Sequence, residues 1–233
     1  MAGHNGAIPD RYAALVKRKA RKESGLFLAE GRRLVEEGLK SECPCELVFV
    51  REGFFGKFPE TDALLSSAKT QVLSARDFDK LADTEQPQGL IGVFSGTGLL
   101  DDAPTHPWLP ALFDVADPRN MGTIVRSADW FGFGQIMLGE SCVDPFSQKA
   151  VRSSMGSVFR TRFVLCEDLE AQLASYKGRY RILVADLDGS DYRSFKGGPP
   201  SMCVFSNEAH GPSEGIRALA DGIATIPGHG GAE

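Results

Sequence analysis

An α/β fold in two parts is predicted for this chain: a small α/β sandwich, then a mostly parallel α/β domain. Three observations predict it. Short β-prone runs alternate with helical segments throughout. A stretch at 95–107, rich in Gly, Pro and Asp and without periodicity, breaks the alternation. Beyond the break the alternation becomes regular, as parallel strands joined by covering helices require. With 233 residues, the chain has room for two domains of ordinary size.

Before the break, a helical stretch near 10–22 leads through 26–31 to a helix over about Arg32–Lys40. Segments 47–50, 71–73 and 90–94 read as short strands. The expected division is therefore 1–94, a linker at 95–107, and 108–233. In the second part, 111–115 is an apolar strand followed by a helix over about 121–131. A strand at 135–138, helices near 145–155, and strands at Arg162–Cys166, 182–185 and 203–205 come next. Helical segments near 168–176 and 212–220 and a last strand at 222–226 complete the pattern. Ligands of such sheets sit at the carboxyl ends of the strands.

Composition excludes several classes. The 42% hydrophobic and 24% charged content is that of a soluble globular protein. No apolar run approaches the ~20 residues of a membrane span. Residues 1–10 lack the basic-then-apolar pattern of a secretory signal, so a cytoplasmic protein is expected. Cys43, Cys45, Cys142, Cys166 and Cys203 form no CxxC, and Cys43-Pro44-Cys45 is too tight for a zinc knuckle; idle thiols and no metal are expected. The net charge of −5 does not advertise a nucleic-acid binder. Within 11–33, however, Arg11, Lys17, Arg18, Lys19, Arg21, Lys22, Arg32 and Arg33 face only Glu23 and Glu30. That segment can neutralise phosphates locally, or it can be a solvated helix face.

Three strand ends carry candidate chemistry. After 111–115 comes Asp117-Pro118-Arg119-Asn120-Met121-Gly122, with Asn120 placed to cap the next helix and Gly122 permitting close backbone approach. Arg126 follows in the second turn and calls for a carboxylate, a phosphate or a substrate; Asp129 offers a structural partner. After 203–205 comes Ser206-Asn207-Glu208-Ala209-His210-Gly211, a ligand-loop composition that a capped strand–helix turn would share. Its glycines match neither GxGxxG nor a Walker A loop. After 222–226 come Pro227 and a Gly/His loop, where a covering helix would be expected.

Together these segments resemble the three motifs of the SpoU/TrmH family of SPOUT methyltransferases. Asp117-x-x-Asn120-x-Gly122-x-x-x-Arg126 with Phe131-Gly132 resembles the first motif, and Ser206-Asn207-Glu208-x-x-Gly211 the second. Ile226-Pro227 with Gly230 and Glu233 resembles the opening of the third. Lys149–Gly156, which includes Arg152, resembles the family's segment between the first two. Around Phe27–Glu36 the chain is similar to the L30e-like substrate-binding domain that precedes many of these enzymes. Two departures stand out: Ser206 replaces a common Gly, and the third motif usually continues past its Glu into a final helix. The resemblance implies that this continuation forms a trefoil knot completing the cofactor pocket. We read the chain as cut short within motif 3, because a buried sheet left uncovered would expose a large apolar face.

The resemblance implies an S-adenosylmethionine-dependent RNA 2′-O-ribose methyltransferase working as a homodimer, with Trp130, Phe131 and Phe133 as apolar interface candidates. It implies Arg126 as the central catalytic group and Asn120 as the residue that places the ribose. Arg stays protonated, which favours phosphate binding and electrostatic stabilisation over proton abstraction. Glu208 is assigned to holding the second motif's loop and the Asn120–Arg126 region, with Arg126 as its candidate partner. The cofactor is expected at Ser206, Asn207, Gly211, Ile226 and Pro227, with Asp186 and Leu187 lining the same pocket. Phosphate contacts are expected at Lys17, Arg18, Lys19, Arg21, Lys22, Arg32 and Arg152. His210 and His229 are read as incidental. Ribosomal RNA is the expected substrate, because L30e-like domains engage looped RNA; transfer RNA, or a non-catalytic RNA-binding role, are the alternatives.

Overall fold

The structure, a computed structural model, describes residues 7–228. Its contacts divide the chain into two compact units. One comprises Met1–Leu100, Asp117–Asp129 and Asp144–Thr161; the other comprises Asp101–Ala116, Trp130–Val143 and Arg162–Glu233.

The first unit opens with two short helices, α1 (Asp10–Ala13) and α2 (Arg18–Ser24). Gly25 ends α2 with φ +68°, its N–H donating to Arg21 O at 2.8 Å, a left-handed cap that glycine takes without steric cost. Then follow β1 (Leu26–Glu30), α3 (Arg32–Lys40), β2 (Cys45–Arg51), α4 (Pro59–Leu65), β3 (Thr70–Leu73), α5 (Ala75–Phe78) and β4 (Leu90–Ser95). The sheet order is β1-β4-β2-β3, antiparallel except between β2 and β3. All five residues of β1 are buried, so its apolar run shows no alternation. Leu28, Phe49, Phe78 and Ile91 belong to one core cluster, and Val35, Val48, Val50 and Leu90 to another.

Two later helices complete this unit, α6 (Pro118–Trp130, all but its last residue) and α7 (Gln148–Ser153). Phe146 stacks on Phe27 at 5.0 Å between ring centroids, and Phe159 meets Phe94 edge-on at 4.9 Å. Burying such rings contributes ~1.5–3 kcal/mol each. Gly122 does allow the close approach expected of it, since a Cβ there would strike Ala150 O and lie 2.8 Å from Ser154 N. The expected cap is corrected. Helix α6 begins at Pro118, and Asp117 Oδ1 accepts the Arg119 N–H at 2.7 Å, so Asn120 lies inside the first turn.

The second unit is a seven-stranded sheet. Its strands are β5 (Leu100–Asp101), β6 (Trp108–Phe113), β7 (Gln135–Gly139), β8 (Arg162–Cys166), β9 (Arg181–Asp191), β10 (Ser201–Ser206) and β11 (Gly222–Thr225). The order is β11-β9-β10-β6-β7-β8-β5, and the registers from β11 through β8 are all parallel. Helices α8 (Leu169–Tyr176) and α9 (Glu214–Leu219) pack Leu169, Leu173 and Ile216 against Leu109, Ala111, Met137, Ile182 and Met202. Asp168 and Ser213 cap them, accepting the N–H of Ala171 at 3.0 Å and of Ile216 at 3.1 Å. The expected linker at 95–107 is partly ordered into this sheet: Gln135 Nε2 donates to Asp101 at 2.6 Å while its Oε1 accepts the Thr105 N–H at 2.8 Å. No helix among the described residues is long and apolar enough to cross a membrane.

Candidate active site

Strand order places the chemistry. From β6 the chain advances through β7 to β8 on one side, whereas β10, β9 and β11 lie on the other. The carboxyl ends of β6 and β10 therefore flank a topological switch point, where open α/β sheets bind ligands. Ser206 ends β10 in register with Phe113 of β6. Next, Asn207 ties the two strand ends together, its amide donating to Asp114 O at 3.0 Å and Asp114 Oδ2 at 3.3 Å. Its Oδ1 accepts the Ala209 N–H at 2.8 Å, and its backbone carbonyl accepts the Gly211 N–H at 2.9 Å. Gly211, at φ +67°, closes this tight loop, on which Glu208, Ala209 and His210 are exposed. Asp114 holds φ +55°, a left-handed conformation that costs a non-glycine residue on the order of 1–3 kcal/mol.

Asp186 and Leu187 lie on the same carboxyl edge. β11 pairs Ile223 with Val184 and then Ala224 with Ser190, so residues 185–189 swing out of the register as an excursion. Arg217 of α9 pins it, pairing with Asp186 and with Asp188 at 2.7 Å; the Asp188 hydrogen bond leads the causes that raise the arginine's pKa. Leu187 is 83% exposed, and Ile226, just past β11, is 80% exposed. The edge thus brings together Ser206, Asn207, Gly211, Asp186, Leu187, Ile226 and Pro227. Gly230, Glu233 and His229 lie outside the described residues.

Asn120 and Arg126 belong to the first unit. Six residues apart on α6, they are separated by ~9 Å along the axis. Both are exposed on the arc opposite Met121, Val125 and Ala128. Among the described residues Arg126 has no ion pair or side-chain hydrogen bond. Asp129, its expected structural partner, is taken by Arg160, whose Nη2 donates to Asp129 Oδ2 at 2.8 Å; Arg160 also pairs with Glu37 at 3.2 Å. Burial alone would raise the Asp129 pKa, but hydrogen bonds from Arg160 and Ser157 and the charge of Arg160 outweigh it, and the carboxyl is held below the usual range.

The basic residues divide sharply. Lys17, Arg18, Lys19 and Lys22 are exposed. Arg21 does not belong with them: it is 8% exposed, pairs with Asp144 at 2.7 Å and donates to the carbonyls of Leu15 and Val16. This guanidinium is a structural clamp, removed from phosphate contact by burial. Arg32 pairs with Glu36 at 2.8 Å and lies over the Phe58 ring at 4.5 Å; Arg152 pairs with Asp83 at 2.8 Å. All five cysteines are free, and burial pushes Cys43 up to about 12 and Cys45, Cys166 and Cys203 to about 11. Sequence reasoning missed Asp114 and Arg217. Asp114 carried a signal, as a polar residue directly after an apolar strand.

A parallel sheet with a shaped ligand edge at its switch point defines a class of small-ligand α/β proteins; comparison with known proteins gives the family. Residues 110–233, more than half of the chain, match the SpoU rRNA Methylase family, and residues 11–92 match an MRM3-like substrate binding domain. The chain belongs to the SpoU rRNA methylase family. It is 27% identical over 229 residues to the 23S rRNA (guanosine(2553)-2′-O)-methyltransferase RlmP of Bacillus subtilis, covering 95% of this chain and 88% of that protein. It is 30% identical to the mitochondrial rRNA methyltransferase 3 of Mus musculus, over 72% of this chain but only 42% of that relative. Among solved structures, a putative RNA methyltransferase of the TrmH family from Porphyromonas gingivalis superposes with TM-score 0.80 at 27% identity, covering 95% of this chain and 88% of that one. An AdoMet-bound rRNA methyltransferase from Sinorhizobium meliloti gives 0.79 at 26% identity, covering 100% and 90%.

Proposed function

We propose that this chain is an S-adenosylmethionine-dependent RNA 2′-O-ribose methyltransferase that acts on ribosomal RNA. The observation that carries the reading is the carboxyl edge of the parallel sheet, with its Asn207-braced loop and two highly exposed aliphatic side chains in a member of this family. The edge suits an amphipathic nucleoside cofactor. Leu187 and Ile226 offer apolar surface, and the Ser206–Gly211 loop offers backbone donors and acceptors. Ser206, Asn207, Gly211, Ile226 and Pro227 would hold S-adenosylmethionine, with Asp186 and Leu187 beside it. The cofactor supplies an electrophilic methyl group on its sulfonium.

The chain's own residues must then orient a ribose hydroxyl, whose proton passes to solvent. They must also stabilise the charge that develops on its oxygen as it takes the methyl group and the neutral thioether leaves. Arg126 has no competing partner among the described residues, so its planar fork can hold an RNA phosphate while stabilising that oxygen. Asn120 places the ribose. Glu208, expected to hold the motif loop, is exposed on it without a hydrogen bond or ion pair among the described residues, and Asn207 braces the loop instead. We assign the region 1–94 to substrate binding and 108–233 to methyl transfer, with the trefoil knot as part of the same reading. Ribosomal RNA is favoured over transfer RNA by the names of the relatives and by the match to a substrate binding domain.

Incubation with methyl-labelled cofactor and ribosomal RNA should yield ribose methylation at one nucleotide. No incorporation by the full-length protein, together with no calorimetric binding to it at millimolar cofactor, would remove the reading. The exposed cations Lys17, Arg18, Lys19 and Lys22 are proposed to contact phosphates. Replacing all four by Ala should flatten the log–log salt dependence of RNA binding by about one per lost contact; an unchanged slope places the phosphates elsewhere. We also propose a homodimer in a cytoplasmic setting, with Trp130 and Phe131, 84% and 72% exposed, at the interface. Sedimentation as a 25.2 kDa monomer at micromolar concentration would exclude the dimer.

A further inference from the structure

The first unit carries a half-open cavity of about 770 Å³, within the size range of small-ligand sites, walled by the end of β1, the start of α3, residues 84–88 and residues 152–155. We propose that it receives one unpaired nucleotide of the RNA substrate, with Arg33 and Arg152 at the phosphate and Met155 against the base. The inference rests on the RNA-modifying reading and adds where, and in what state, the substrate is gripped.

The wall carries three arginines and three glutamates, so its charge balances, and it is the hydrogen-bond accounting that points to an acceptor-bearing occupant. The three carboxylates there already have partners. Glu30 accepts the Asp83 N–H at 2.7 Å and the Thr84 hydroxyl, Glu36 pairs with Arg32 at 2.8 Å, and Glu37 pairs with Arg160 at 3.2 Å. The cations are less fully used. Arg152 gives Nη2 to Asp83 at 2.8 Å, but its Nη1 is buried without an acceptor. Arg33 is exposed and, among the described residues, has no ion pair or side-chain hydrogen bond. Arg33 is the cation open to a phosphate oxygen, whereas the shielded Arg152 Nη1 gains an acceptor only if the wall shifts to admit one.

The remaining lining suits a base. Met155 is 59% exposed and held at φ +52°, presenting a polarizable thioether as a flat contact. Gln88 accepts the Arg32 N–H through its Oε1 at 3.0 Å, and its amide NH₂, with no acceptor among the described residues, can donate to a base edge. A paired base keeps its edge and faces inside the stack, so only a splayed, single-stranded nucleotide can enter. The cavity is also tied to the proposed chemistry. Glu37 in its wall holds Arg160, and Arg160 holds Asp129 of α6 at 2.8 Å, three residues after Arg126. A chain of partly exposed ion pairs thus links the cavity wall to that helix.

The test uses the protein with a single-stranded RNA of about ten nucleotides carrying photo-crosslinkable uridines, and a duplex of equal phosphate count. Arg33→Ala and Met155→Ala remove exposed side chains, so both variants should fold. Single-strand affinity should fall about ten-fold in Arg33→Ala, the scale of one charge-assisted hydrogen bond, and several-fold in Met155→Ala. Duplex affinity should hold, and crosslinks should map to 84–88 or 152–155. Wild-type single-strand affinity in both variants overturns the proposal, and so does an equal loss of single strand and duplex, which would mark a plain phosphate patch. Methyl transfer and cofactor calorimetry on the same preparations separate the two readings. Methylation that persists with RNA affinity unaltered by either variant sinks the pocket and leaves the enzyme standing. Pocket-dependent binding without methyl transfer or cofactor binding does the reverse.

Discussion

Around Asn207, at the carboxyl edge of the parallel sheet, polar groups are turned inward: the amide bridges to Asp114, the side-chain oxygen caps Ala209, and the backbone carbonyl closes the loop on Gly211. Along α6 the reverse holds. Asn120 and Arg126 point to solvent, and Arg126 has no partner among the described residues, although Asp129 sits one turn away on the same helix. Both segments carry motif residues of one family, and the resemblance gives both a ligand-facing role. The bonding separates them: the loop residues build a shape, whereas the α6 residues have no side-chain partner among the described residues, as the proposed ligand role requires. Substitutions should therefore divide into those that lower stability and those that lower turnover.

The largest effect is expected at Arg126. If its guanidinium stabilises charge that develops only during transfer, Arg126→Ala should lower turnover far more than it weakens cofactor binding. Removing a comparable donor in other enzymes costs ~2.7–4 kcal/mol, a loss on the order of 10²–10³-fold. Lys should rescue poorly, because a point ammonium cannot span two oxygens as the planar fork can. Melting temperature should hardly move, since no ion pair is lost. A stable, fully active Arg126→Ala protein would break the comparison at its stronger end.

Asn207→Ala should behave in the opposite way. It removes two donor contacts to Asp114 and the loop's cap on Ala209, and Asp114 would then hold its left-handed conformation without that brace. A loss of about 1–2 kcal/mol in stability is expected, with weaker cofactor binding and little change in turnover at saturating cofactor. Thermal melts and calorimetry on one preparation check this. Unchanged melting with a collapse in turnover would make Asn207 a reacting-site residue and erase the distinction.

Much of this was legible in the sequence, for local reasons. Helix α3 and strand β8 lie where periodicity and composition put them, and the family motifs fall at strand ends and on a helix start as read. What escaped was set by distant partners. Arg21 looks like its basic neighbours until Asp144, 123 residues away, claims it. β5 has no strand signal of its own, because two residues in a Gly-, Pro- and Asp-rich stretch become a strand only by pairing at a sheet edge. Helices α4 and α5 are short, at seven and four residues, and lack a full amphipathic period. The cap of α6 was readable and misread: Pro at the first helical position makes the preceding Asp117 the cap.

The smallest effect sharpens the comparison within α6 itself, at the Asp129–Arg160 pair. Because the folded-state carboxyl titrates below its unfolded value, the pair's contribution is fully present above the unfolded aspartate pKa of ~3.9 and is lost as pH falls through the folded value. Side-chain exposures of 26% and 48% leave both groups partly screened, so the contribution is discounted to about 0.5–1 kcal/mol. Asp129→Asn should therefore melt slightly below wild type at about pH 6, and the gap should narrow as the pH drops toward about 3. A gap that widens on acidification would have the wrong sign for a depressed carboxylate and would refute the assignment. Turnover gives the second readout. A structural pair should leave it within a factor of about two, set against the 10²–10³-fold loss expected one turn earlier at Arg126. Should Asp129→Asn instead lose turnover in parallel with Arg126→Ala while keeping its melting temperature, the pair would be positioning the arginine, and the division between bonded and free side chains would have to be redrawn along this helix.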